Sequence, residues 1–173
     1  MTRIFLLALL GLTACTTYHP SLRYFTSPFY ARDIAVLRLE GRWYEVASFP
    51  LAAQAGCRHT TADFNSLPDG RVALRISCRD TATGATRQID GVATVAGPAE
   101  LTLKQAGVPL ATQLALLDVS RDGRMALIGV KGRTGGWMLH RSRAASPQDY
   151  DRAREIFGRS GYDVAALQRT NQR

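Results

Sequence analysis

The sequence predicts an all-β fold: an eight-stranded antiparallel up-and-down barrel with one C-terminal α-helix packed on its outside. Three observations lead there. Between Trp43 and Arg141, short runs of β-type composition follow one another at close intervals. Turn residues separate them, with Pro68-Asp69-Gly70 and Arg121-Asp122-Gly123 as hairpin turns and Thr83-Gly84 and Gly97-Pro98 as further breaks. A single amphipathic segment then follows the last run. Eight hairpin-linked strands lose their exposed edges by closing on themselves, and eight strands leave room for one small ligand. A Greek-key sandwich fits the strand count but needs longer connections than the sequence offers. At 173 residues the chain is sized for one domain with a good core.

Taken in order, residues 1–14 are expected to be a signal peptide. One cation, Arg3, precedes an apolar run from Ile4 to Leu12, and small residues lead to Cys15. The run is too short to span a bilayer. Leu12-Thr13-Ala14-Cys15 resembles the lipobox of bacterial lipoproteins, which implies cleavage before Cys15 and a lipid anchor on its thiol. Thr16, where an Asp would signal retention, implies sorting to the outer membrane. Residues 15–37 are expected to be the lipidated tether and lead-in, and residues 38–173 the barrel with its helix and tail. With Cys15 acylated, Cys57 and Cys78 remain. In an oxidising exported compartment that pair is expected as a disulfide.

The barrel runs are expected at 42–50, 58–66, 71–79, 85–96, 99–105, 112–119, 124–130 and 136–142. Alternation sets Val72, Leu74 and Ile76 on one face, and Leu101 and Leu103 likewise. The helix is announced by an N-cap at Ser146, a proline at its first position and Asp149 at its third. Tyr150, Ala153, Ile156 and Phe157 recur at helical spacing, and Gly158 is expected to end it. Residues 159–173 are expected to give a short final strand or an extended tail.

Net charge is +8, and the cations are almost all arginines scattered through the strands. No helix-turn-helix, zinc finger or aromatic RNA-binding motif accompanies them, so nucleic acid is not an expected partner. His19, His59 and His140 lack metal-ligand spacing, and no G-x-S-x-G elbow is present. No metal, cofactor or catalytic residue is therefore expected.

Gly41-Arg42-Trp43-Tyr44-Glu45-Val46-Ala47 resembles the G-x-W-Y-E-[IV]-A opening strand of lipocalins, above all the bacterial outer-membrane lipoproteins of that family. Thr61-Ala62-Asp63-Phe64, Trp137-Met138-Leu139-His140-Arg141-Ser142 and Gly161-Tyr162-Asp163 extend the resemblance over residues 38–168. Leu117-Asp118-Val119 departs from the family's T-D-Y, keeping only the aspartate. The resemblance implies a structural plug made by Gly41, Trp43 and Arg141, with the guanidinium across the indole. It also implies an apolar calyx. With Trp43, Glu45, Ala47 and Phe49 pointing inward, the calyx would be lined by Glu45, Ala47, Phe49, Ala62, Phe64, Leu74, Ile76, Leu101 and Leu103. An inward Glu45 needs a partner, for which Arg75 or Arg87 is expected. The implied function is non-covalent binding of a fatty acid, lysophospholipid or similar amphiphile at the periplasmic face of the outer membrane, with arginines near the mouth on its head group. A lipid- or isoprenoid-modifying enzyme on the same scaffold and a ligand-free envelope scaffold are the alternatives. Oligomeric state and ligand identity stay open.

Overall fold

In the computed structural model, which describes residues 36–97 and 99–172, eight strands close into a barrel. The leader, Cys15 and most of the tether lie outside the described residues. After a 3-10 turn at Val36–Leu39, the strands are β1 (Gly41–Ser48), β2 (Cys57–Ser66), β3 (Val72–Asp80), β4 (Thr86–Gly97), β5 (Glu100–Gln105), β6 (Thr112–Val119), β7 (Met125–Val130) and β8 (Gly136–His140). Helix α1 (Pro147–Arg159) and a two-residue strand β9 (Gln168–Arg169) follow. Each barrel strand pairs antiparallel with the next, and β1 pairs with both β8 and β2, so the sheet closes as the turn chemistry predicts. Among the described residues no helix is long and apolar enough to cross a membrane.

The wall has two characters. Strands β2 to β4 alternate, putting Leu74 and Ala93 inward and charged pairs such as Arg75 with Asp90 outward. Strands β6 to β8 are apolar on both faces, because α1 covers their outside. Leu116, Ile128 and Leu139 point into the barrel, whereas Leu117, Leu127 and Met138 meet Ala153, Ile156 and Phe157 of the helix. That double burial is why Met125–Val130 and Leu114–Leu117 read as unbroken apolar runs.

Helix α1 starts as its sequence prescribes. The Asp149 amide donates to Ser146 Oγ at 3.2 Å, and the Ser146 amide donates to Asp149 Oδ2 at 3.0 Å. Arg152 binds Asp118 on β6 at 2.9 Å, so the aspartate kept from the family's middle motif clamps the helix to the wall. The helix does not stop at Gly158; it runs on to Arg159. The left-handed residue that turns the chain away is Gly161, at φ +81°.

The tail then closes a seam. Strands β1 and β2 pair directly only from Gly41↔Phe64 to Tyr44↔Thr61, and beyond Tyr44 they diverge. Residues 168–172 occupy the gap. Gln168 and Arg169 pair with Ser48 and Ala47, the Thr170 amide donates to Val46 O, and the His59 amide donates to Asn171 O. The expected final strand is thus present, and it bridges the two strands at which the barrel closes.

Candidate functional site

The base of the barrel is sealed first. Trp43 is fully buried, and its Nε1 donates to Leu39 O at 2.7 Å. The Arg141 guanidinium lies 3.7 Å from the Trp43 ring centre and donates to the carbonyls of Arg42 and Glu40, both at 2.8 Å. Gly41 enters the strand at φ +88°, a region open to glycine and costly for other residues. The plug that the motif implies is therefore assembled from Gly41, Trp43 and Arg141.

Above it lies a cavity of about 570 Å³, opening at the end where the β1–β2, β5–β6 and β7–β8 connections converge. Of the residues expected to line it, Glu45, Ala62, Phe64, Leu74, Ile76 and Leu103 do so. Leu101 packs in the inner core without lining it. Ala47 and Phe49 are corrections: both sit on the outside of the barrel, beneath α1 and Tyr162. The reason is a β-bulge. Against β8 the register runs Glu45↔Leu139 and then Ala47↔Met138, so the strand gains one residue and the inward phase is reset after Glu45.

Glu45 is 4% exposed, yet among the described residues no arginine hydrogen-bonds it. Arg75 faces outward to Asp90 at 2.7 Å. Arg87 donates to the carbonyls of Ala53 and Ala55, at 2.6 and 2.8 Å. Instead Gln54 Nε2 donates to Glu45 Oε2 at 2.8 Å, and Thr170 Oγ1 donates to Oε1 at 2.6 Å. Gln54 in turn accepts from Trp137 Nε1 at 2.9 Å. Burial pushes the Glu45 carboxyl above the usual carboxylate range, while hydrogen bonds from Thr170, Ser48 and Gln54 pull it back. The tail serves the same site, since Gln172 Nε2 donates to the carbonyls of Glu45 and Thr60.

The connection at 49–56 is a fixed lid. Besides Arg87, the Thr81 amide holds Gly56 O at 2.8 Å, and the expected Cys57–Cys78 disulfide ties the lid's far end to β3. Leu51 presses on Gly135, where a Cβ would lie 2.7 Å from Leu51 Cδ2. The rest of the lining includes Ile89, Leu114, Ile128, Trp137 and Leu139 from the strands, and Lys131 and Thr134 from the β7–β8 turn. Strand alternation carries a signal for the inward Ile89, whereas Leu114 and Ile128 stand in runs apolar on both faces that give no orientation. Gln54 and Lys131 reach the cavity, and Thr170 reaches Glu45, only through the chain's three-dimensional path, and nothing local announces them. The cation among the lining residues is Lys131; the arginines expected near the mouth, Arg87 among them, stand at the rim outside the lining.

A family model described as a lipocalin-like domain matches residues 34–172. Temperature-induced lipocalin-1 of Arabidopsis thaliana is 30% identical over 152 residues, spanning 82% of this chain and 81% of that protein. Among solved structures, lobster apocrustacyanin A1 superposes with a TM-score of 0.68 at 13% identity, covering 89% of this chain and 86% of that one. Insecticyanin from Manduca sexta gives 0.62 at 14% identity and 82% of both chains. The structural likenesses speak for the fold. The family match spans the plug, the eight strands, the outer helix and the seam-closing tail, and with it the chain belongs to the lipocalin family.

Proposed function

We propose that the protein is a lipid-anchored lipocalin of the bacterial envelope that binds and carries a small amphiphile. The observation that carries the reading is the cavity: its volume lies in the range of small-molecule sites, and its walls are mostly apolar, with polar residues such as Gln105, Gln113, Lys131 and Thr134 among them. An acyl chain would lie among Phe64, Leu74, Ile89, Leu103 and Ile128, with a phosphate or carboxylate at Lys131 near the rim. Fatty acids and lysophospholipids have that form. Binding without chemistry is supported by how Glu45 is used: its two oxygens accept hydrogen bonds from the lid's Gln54 and the tail's Thr170, which makes it part of the scaffold. The anchor is proposed on Cys15, in the outer membrane and facing the periplasm.

Native mass spectrometry of protein purified from membranes tests the cargo. A co-purifying amphiphile, exchangeable for added lysophospholipid, is the expected result. A barrel that emerges empty and retains neither oleate nor lysophospholipid overturns the carrier reading. For the anchor, labelled palmitate should be incorporated into the parent and not into Cys15→Ala, and an unlabelled parent would refute acylation there.

A further inference from the structure

The rim of the barrel differs from its base in two ways. Its connections span residues 49–56, 81–85, 106–111 and 131–135. With the two strand residues flanking each, they carry Arg58, Arg79, Arg87, Lys104, Lys131 and Arg133 against one carboxylate, Asp80. Asp80 is itself 3.5 Å from Arg87. At the base, Glu40, Asp69, Glu100, Asp118 and Asp122 offset the arginines. The rim is thus a ring of positive charge and the base is near balance. Arg87 and Arg133 hold backbone carbonyls, but their charge stays in the ring.

The second difference is apolar. The β5–β6 connection reads Ala106-Gly107-Val108-Pro109-Leu110-Ala111, contains no charge and is exposed throughout. Leu110 is 81% exposed and Val108 47%, two of the three large apolar side chains left exposed among the described residues. Nothing in the barrel uses Leu110. Its neighbours Ala111 and Thr112 line the cavity, so the bare apolar tip is continuous with the mouth. Apolar residues at a tip, with cations behind them, match the layering of a bilayer with anionic head groups outside its acyl chains.

We propose that the rim docks on an anionic phospholipid surface, with Val108 and Leu110 entering the acyl boundary and the cations on the phosphates. The cavity mouth then faces the bilayer, and an amphiphile passes between the two without crossing open water. This rests on the cavity being the ligand site.

The test uses the full chain carrying Cys15→Ala, so that no acyl group or competing thiol is present. An environment-sensitive dye is placed through Leu110→Cys at the rim or Asp69→Cys at the base. With vesicles containing phosphatidylglycerol, the rim dye should brighten severalfold and shift blue, the response should fall in high salt, and the base dye should stay as in water. Phosphatidylcholine vesicles should give much less. Val108→Asp with Leu110→Asp should weaken vesicle partitioning about tenfold or more, while lysophospholipid retention in solution stays as in the parent. A silent rim dye on both vesicles, equal responses at rim and base, or a shift driven by chain concentration alone, which would point to a second copy of the chain, each overturns the proposal. Failure of the unsubstituted chain to retain lysophospholipid would instead sink the carrier reading, whatever the dye reports.

Discussion

Trp43 and Glu45 sit two residues apart on β1 and face the same interior, yet their environments are opposite. Trp43 is enclosed by Leu39, the strand and a guanidinium, so Trp43→Ala should cost about 3–5 kcal/mol, read from urea unfolding. A near-neutral result would remove it from the plug. Glu45 is held by uncharged donors, and burial leaves its carboxyl raised. The folded chain therefore keeps that proton more tightly than the unfolded one. Its contribution to stability is full below the ordinary carboxylate range and is lost as pH rises from there through the raised value. Glu45→Gln cannot ionise, so its stability relative to the parent should climb across that window and level off above it. Parallel pH profiles for the two proteins would refute the assignment. The plug was legible in the sequence because Gly41 and Trp43 lie in one short motif and Arg141 in another. The partners of Glu45 were not, since Gln54 comes from a loop and Thr170 from the far end of the chain.

Strand β1 shows what periodicity leaves out. Alternation assigns Ala47 and Phe49 to the cavity, but a single bulge moves both under the helix, where Phe49 packs 5.0 Å from the Phe157 ring. A one-residue insertion reverses every later side chain of a strand, and no residue type in Glu45-Val46-Ala47 demands it. The strands with one wet face were easy to place; β6 to β8, covered on both, gave position without orientation. The tail likewise read only as a strand or an extension, and its work depends on the gap it fills. Gln172 donates to two buried carbonyls across that gap. Gln172→Ala leaves both without this donor and should lower stability by about 1–3 kcal/mol, with faster hydrogen exchange at His59, whose amide bonds the tail. Unchanged exchange at His59 would mean that the tail does not hold the seam.

For the whole molecule, closure is decisive. Hairpin turns and strand count were enough to predict it, because an eight-stranded meander has few other ways to hide its edges. The cavity above the plug was foreseen in kind but not in full, as much of its rim comes from connections whose composition says only that they are loops. The disulfide joins two neighbouring strands directly behind the lid. Reducing it reopens a loop of 21 residues and should cost about 3 kcal/mol on the chain-entropy model, measured as a lower urea midpoint with dithiothreitol. An unchanged midpoint would show that Arg87 and the lid's backbone hydrogen bonds suffice. The position of the two tryptophans has its own consequence. Trp43 is sealed in the base against a guanidinium, whereas Trp137 lines the cavity and donates to the lid through Gln54. The chain therefore holds an internal reference and an optical sensor in one spectrum: cargo entering the barrel should alter the indole emission of Trp137 and leave that of Trp43 in place, so the emission change on adding lysophospholipid should vanish in Trp137→Phe whatever that substitution does to affinity.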